Sequence, residues 1–286
     1  LHPLTLNRSR HPSRRINIEK LRDFVLSRRA EDGGFSFCKP LSSSLPETYY
    51  AVYILKSIGV EIPNREELVD FLRNNLRKEQ YSIFYIFSTL KLLGEKLPDM
   101  SAFLLNRLDE VVQKVPSRDF SVEIGTTATY SFETPNILRE ICVLSASLKL
   151  LGRNIPDAVK NFIKRFRRNG GFGTITPNLQ ETYYCVFVLN DIGMKSDVIS
   201  FIKQRECHIG GFTKIPNGYP PYLEDTYYAL SCFSILGYRY ANEKTIDYIS
   251  SLQNSDGGFR RSIYGGISSL EYTYYAVASL KYLGEI

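Results

Sequence analysis

Apolar residues recur along this chain in two alternating patterns. Segments such as "REELVDFLRNNL" and "DAVKNFIKRFRR" place them at helical spacing, with charges on the other face. Leu68, Phe71, Leu72 and Leu76 form one such stripe, and Val159, Phe162, Ile163 and Phe166 another. This is the pattern of a surface helix packed on one side. "EKLRDFVLSRR", "SDVISFIKQRE" and "EKTIDYISSLQ" read the same way. Between them lie runs that are apolar nearly all round, as in helices buried on both sides. Each run closes on a glycine: Gly59, Gly94, Gly152, Gly193, Gly237 and Gly284. Glycine there reads as a C′ residue, which takes the left-handed conformation without a Cβ penalty. Eleven residues before these glycines stand Thr48, Ile83, Ile141, Thr182, Thr226 and Thr273, so the register holds six times.

Four of the runs share a lettering: "LPETYYAVYILKSIG", "LQETYYCVFVLNDIG", "LEDTYYALSCFSILG" and "LEYTYYAVASLKYLG". Four of the preceding loops open with Gly-Gly-Phe, at Gly33, Gly170, Gly210 and Gly257. Six outer-inner pairs of roughly 40 to 50 residues form a repeat architecture, because one pair cannot bury its apolar face alone. Neither the first nor the last repeat looks like the polar cap of an open solenoid. The predicted fold is therefore all-α: an α/α toroid (α6/α6 barrel) of six helical hairpins, inner apolar helices within outer amphipathic ones. It is expected to form a single domain over residues 17–286, preceded by a basic, flexible arm at 1–16. An insertion at about 116–136 separates the helices of the third repeat, a length that suggests a lid or a docking hairpin.

The positions heading the inner helices carry Glu47, Ser82, Glu140, Glu181, Asp225 and Tyr272. In a closed barrel they share one rim. Ser44 to Glu47 reads as a capping box, and Asn178 to Glu181 has the same spacing with an asparagine cap. Acids also suit the positive helix end. Adjacent residues diverge by about 100° on a helix. One tyrosine of each Tyr-Tyr pair is therefore expected to face the lumen and the other the outer layer. Hydroxyls converging on an apolar body would make a small-molecule site. The candidate ligand-binding residues are Glu47, Tyr50, Glu140, Glu181, Tyr184, Tyr222, Tyr228, Tyr272 and Tyr275.

Composition narrows the function further. The formal charge of +6 is concentrated in "NRSRHPSRR" and "KRFRR", and no recognition motif accompanies it, so nucleic acid is not an expected partner. No apolar run has the roughly 18 residues of a membrane span. Five cysteines without CxxC spacing read as free thiols of a reducing, cytoplasmic compartment. His2, His11 and His208 lack ligand-spaced partners, so no metal site is expected.

The Gly-Gly-Phe loops before buried, acid- and aromatic-headed helices resemble the α/α-toroid superfamily of protein prenyltransferase β subunits and squalene and terpene cyclases. "SLQNSDGGF" (251–259) resembles the cyclases' glutamine-to-aromatic repeat. The resemblance covers about residues 17–286. In the prenyltransferases it implies zinc held by an aspartate, a cysteine and a histidine. Here only Asp225 matches, with Tyr227 and Tyr272 in the other two slots. Their diphosphate-gripping lysine and arginine slots are Tyr222 and Tyr219. Tyr228 keeps the family letter. In the cyclases the resemblance places Glu224 on the proton-donor slot and Asp225 beside it, with Tyr222 replacing the first acid. Three functions follow as expectations. The first is a toroid that binds an isoprenoid or other apolar ligand in a tyrosine-rimmed cavity, without zinc. The second is a cyclase or prenyl diphosphate enzyme using Glu224 and Asp225 as catalytic residues, with Mg²⁺ if a diphosphate is bound. The third is a non-catalytic module docking a helical protein partner.

Overall fold

A computed structural model describes residues 16–113, 136–190, 193 and 195–286. Residues 1–15 of the basic arm and most of the third-repeat insertion lie outside these residues. Six outer helices, α1 (Ile18–Ser27), α3 (Arg65–Asn74), α5 (Ser101–Gln113), α7 (Asp157–Lys164), α9 (Lys195–Lys203) and α11 (Glu243–Ser251), alternate with six inner ones. The inner helices are α2 (Leu45–Ser57), α4 (Gln80–Leu92), α6 (Ile137–Leu150), α8 (Leu179–Leu189), α10 (Leu223–Leu236) and α12 (Leu270–Leu283). Each inner helix packs on the next, and α12 packs back on α2. The ring is closed, and the expected all-α toroid is the observed fold.

The outer helices bury one stripe each, such as Leu68, Val69 and Leu72 on α3. The inner helices are buried round most of their girth; α6 buries every residue from Glu140 to Leu148. Side-chain caps start the inner helices as their sequences suggest. Ser44, Asn136, Asn178 and Ser269 each accept an N–H of the first turn, worth about 1 kcal/mol apiece. At the other end Gly59, Gly94, Gly152, Gly237 and Gly284 take positive φ.

The Gly-Gly-Phe loops connect the layers. Their phenylalanines, Phe35, Phe172, Phe212 and Phe259, are at most 1% exposed, and they form short bridges to the outer helix end and the inner helix start. In the fourth repeat this becomes a two-residue ladder, β1 (Arg167–Arg168) with β2 (Gly171–Phe172). The two glycines ahead of each phenylalanine lie against the following outer helix, where no side chain would fit. A Cβ on Gly33, Gly170 or Gly210 would come within 3.0 Å of a carbonyl oxygen of α3, α9 or α11. In the last repeat Gly257 lies in the same way against Lys20 of α1, so the seam that closes the ring repeats the contact made within it.

Candidate functional site

The Thr-Tyr-Tyr triplet divides its labour between the two sides of the inner layer. Thr48, Thr182, Thr226 and Thr273 face outward, each Oγ1 accepting the N–H of the loop phenylalanine at 3.0 Å. Both tyrosines turn inward. Rings within a pair lie 5.4–5.8 Å apart, and each ring touches aromatics of neighbouring inner helices. The expectation that one tyrosine of each pair faces the outer layer is thus corrected. With threonine fixed outward, steps of 100° and 200° place the two tyrosines on either side of the lumen axis.

The rings form two networks. In the deeper one the Tyr227 and Tyr274 hydroxyls are 2.9 Å apart, Tyr49 lies 3.4 Å from Tyr274, and Tyr183 bonds Tyr227. The second joins Tyr50 to Tyr85, and Tyr184 and Tyr275 to Tyr228. Polar residues at the helix heads complete it: Gln180 Nε2 donates to Tyr184 and Tyr228 at 2.8 and 3.0 Å, and Tyr275 donates to Glu271 at 2.9 Å. Burial first, and then the neighbouring hydroxyls, push Tyr50, Tyr184 and Tyr275 far above the ordinary phenol value. Burial likewise pushes the Cys142 thiol up to about 12. These tyrosines and Cys142 therefore carry no phenolate or thiolate at physiological pH; the ionisable partners of the lining are the Arg139 guanidinium, bonded to Tyr85, and the Glu271 carboxyl that accepts from Tyr275.

One turn further along the inner helices stand Tyr53, Ser88, Ala146, Phe187, Ser231 and Ala278. Four of the six are serine or alanine. Ala146 is 8% exposed and the other five are more open, although the residues on either side of them are buried. Accessible surface in the middle of such helices belongs to space inside the ring.

The helix-head acids fall into two classes. Glu140 accepts from Arg107 Nη2 at 2.7 Å and Gln80 at 3.1 Å, and Glu181 from Asn136, Thr174 and Asn178 at 2.7–3.1 Å. Each ties its helix to the preceding repeat. Glu47 has a buried oxygen without a partner. Burial, and next the charge of Glu271, raise its pKa to about 7. Asp225 is likewise raised to about 7, by burial and then by Glu224. Glu224 itself is held by Arg261, at 2.6 Å from Nε and 2.5 Å from Nη2, and Arg261 lies 4.5 Å over the Tyr222 ring. Tyr272 packs on Tyr275.

Of the residues singled out from sequence, the structure bonds Tyr184 and Tyr275 to Tyr228, pairs Tyr50 with Tyr85, and ties Glu224 and Tyr222 to Arg261. Gln180 and Glu271, which bond the first of these groups, and Tyr85, the partner of Tyr50, were not singled out. Their signal is a register: Gln180 and Glu271 precede the threonine position by two, one helical turn before the second tyrosine, and Tyr85 is itself the second-tyrosine position of α4. Among the described residues no three His, Cys, Asp or Glu side chains converge closely enough to hold a metal ion. The described cysteines are free thiols, and no described helix is long and apolar enough to cross a membrane.

Comparison with known proteins agrees with the geometry. The prenyltransferase alpha-alpha toroid domain profile matches residues 4–178 and 182–286. Among solved structures, the type II terpene cyclase MstE from Scytonema (apo) is similar at 14% identity and TM-score 0.56, covering 94% of this chain and 97% of that one. A variant of MstE in complex with geranylgeranyl dihydroxybenzoate, its substrate, gives 13% identity and TM-score 0.58 over the same shares. A protein from Actinoplanes gives 15% and 0.54, over 93% of this chain and 98% of that one. No curated protein sequence matches the chain.

Proposed function

Since the chain belongs to the prenyltransferase alpha-alpha toroid domain family, we propose that its lumen binds an isoprenoid or similar apolar ligand against the tyrosine lining, independently of zinc. The observation that carries this is the layer formed by Tyr53, Ser88, Ala146, Phe187, Ser231 and Ala278, open in the middle of helices buried on both sides. Small side chains leave room there, the aromatic faces supply apolar contact, and the hydroxyls above them offer a few convergent polar groups, as in small-molecule sites generally. The substrate complex of MstE, a distant fold relative, supports the choice of a prenyl chain as the probe.

The test is native mass spectrometry of the protein incubated with geranylgeraniol. A 1:1 adduct is expected, and it should vanish in Ala146→Trp, whose indole fills the open layer. No adduct on the parent protein, or one undiminished in the variant, overturns the reading.

A catalytic second reading rests on Asp225. Arg261 holds Glu224 through Oε1, whereas burial and then Glu224 raise Asp225 to about 7, which supports Asp225 rather than Glu224 as the group that carries a proton near neutrality. On this reading Asp225→Asn abolishes turnover of a prenyl diphosphate while leaving ligand binding intact; loss of both together would make Asp225 a structural residue instead.

A further inference from the structure

One wall of the lumen differs from the other five. The second position of the Tyr-Tyr pair is a tyrosine on α2, α4, α8, α10 and α12, and is Val143 on α6 alone. The first position holds an aromatic ring on those five helices and Cys142 on α6. One turn further, α6 gives Ala146 to the open layer. From Ile141 to Leu148 the remaining accessibility of α6 is confined to these three residues. Cys142, Val143 and Ala146 are 7–8% exposed, and the five others are fully buried. The three continue from position 139 at i+3, i+4 and i+7, which is one face of a helix.

Arg139 heads that face. It is exposed, although Leu138 and Glu140 on either side of it are buried. Its register is that of Gln180 and Glu271, whose side chains bond lumen tyrosines. The guanidinium lies 5.2 Å from the centre of the Tyr81 ring and bonds Tyr85, both on α4. Among the described residues Arg139 forms no ion pair, whereas Arg107 and Arg261 are held by Glu140 and Glu224.

Tying α6 to α4 is one role for this side chain. It uses the face turned to Tyr81 and the edge turned to Tyr85, while a guanidinium carries five N–H donors in a planar fork. Nor does it account for the absence of rings beneath the arginine, on the one inner helix that carries a cation in this register.

We infer that α6 is the lane along which the lumen ligand lies, its apolar chain over Cys142, Val143 and Ala146 and a carboxylate head on Arg139. The inference rests on the proposed function and names the class of ligand that the lumen takes. From Arg139 to Ala146 the helix rises about 10 Å, so a chain anchored at the arginine reaches the open layer. A planar carboxylate matches the guanidinium fork with two parallel hydrogen bonds. The surrounding charges favour it over a phosphoryl head. α12 stands three helices from α6 in either direction round the ring. It presents Glu271, close enough to Glu47 of α2 to raise the pKa of that carboxyl. A head with one negative charge is balanced by the one unpaired guanidinium. A head with two or three is left with an excess facing those carboxyls, which repel it.

The experiment is calorimetric titration of the full chain with geranylgeranoic acid, geranylgeraniol and geranylgeranyl diphosphate, in the parent protein, Arg139→Gln and Val143→Tyr. The parent is expected to bind the acid at least tenfold more tightly than the alcohol, and more tightly than the diphosphate. Arg139→Gln should bring the acid down to the affinity of the alcohol and leave the alcohol unchanged, which a purely structural arginine would not do. Val143→Tyr gives α6 the ring that its five counterparts carry, and should weaken acid and alcohol together by tenfold or more. An acid that binds no better than the alcohol, a diphosphate that binds best, or an equal loss of acid and alcohol in Arg139→Gln overturns the carboxylate site. Undiminished binding in Val143→Tyr overturns the lane. The alcohol separates this inference from the reading beneath it. If it binds and the acid gains nothing, the lumen reading stands and the carboxylate head falls; if none of the three binds, both fall.

Discussion

Thr226 accepts the Phe212 amide at 3.0 Å and donates to the Tyr222 carbonyl at 2.9 Å, and Phe212 is fully buried. Replacing it with valine keeps the shape and strands the Phe212 N–H away from water. A buried unpaired donor costs roughly 1–3 kcal/mol, so Thr226→Val is expected to lose about that much in urea unfolding and to speed hydrogen exchange at the Phe212 amide. An unchanged amide would mean that the threonine is a spacer. Beside it, Asp225 gives a pH signature. Folded Asp225 keeps its proton up to about pH 7, because of burial and then Glu224, whereas an unfolded aspartate releases it near 3.9. The native state therefore binds more protons across that window. The contribution is fully present below about pH 4 and is lost as pH rises through about 7. Asp225→Asn should remove that slope, with no gain near pH 4 and a gain of roughly 1–3 kcal/mol at pH 8, discounted for the residue's partial solvent contact. The triplet lettering was legible in the sequence, but the direction of the lumen was not. A 100° step separates neighbours without saying where zero lies; only the Thr226 bond to a loop 14 residues earlier sets it.

Among the elements, the inner helices were readable because their two signals, all-round apolarity and a closing glycine, are local. The glycines of the Gly-Gly-Phe loops were readable only as the opening of a loop. Their second reason is a partner distant in sequence. Gly257 has φ +93°, and a Cβ there would overlap the Lys20 carbonyl on α1; Gly258 lies against the Phe24 ring in the same way. Gly59 makes the comparison clean, with φ +71° and nothing near its absent Cβ. Gly59→Ala should cost only the conformational penalty of about 1–2 kcal/mol, whereas Gly257→Ala must also push α1 off the loop and should cost about 3 kcal/mol or more. Similar midpoints for the two variants in a denaturant titration would show that the α1 seam yields freely.

At the scale of the molecule the seam between first and last repeats is built like any other. Gln253 holds Asn17 by both backbone groups, accepting its N–H at 2.8 Å and donating to its carbonyl at 3.1 Å, and Lys20 Nζ reaches the Ser255 carbonyl at 3.2 Å. Tyr274 on α12 meets Tyr49 on α2 and Tyr227 on α10, so the last inner helix joins the deep tyrosine network from both sides. Closure was inferred from sequence by the absence of polar end repeats, but the tyrosine networks that line the ring were not, because they depend on which hydroxyls meet across helices far apart in the chain. A closed ring and an open solenoid respond differently to shortening. A solenoid is a nearest-neighbour sum and tolerates loss of a terminal unit with a proportional loss of stability. Here, ending the chain after Ser269 removes one helix but opens two inner-layer contacts, α10 to α12 and α12 to α2, and leaves hydroxyls of Tyr49, Tyr227 and Tyr228 short of partners. The shortened chain is therefore expected to lose its single cooperative transition altogether and to bind a hydrophobic dye, rather than to melt a few degrees lower. Retention of a sharp transition with a helical signal reduced only in proportion to the missing residues would mean that the repeats stand in a row and that the closing seam carries little of the fold.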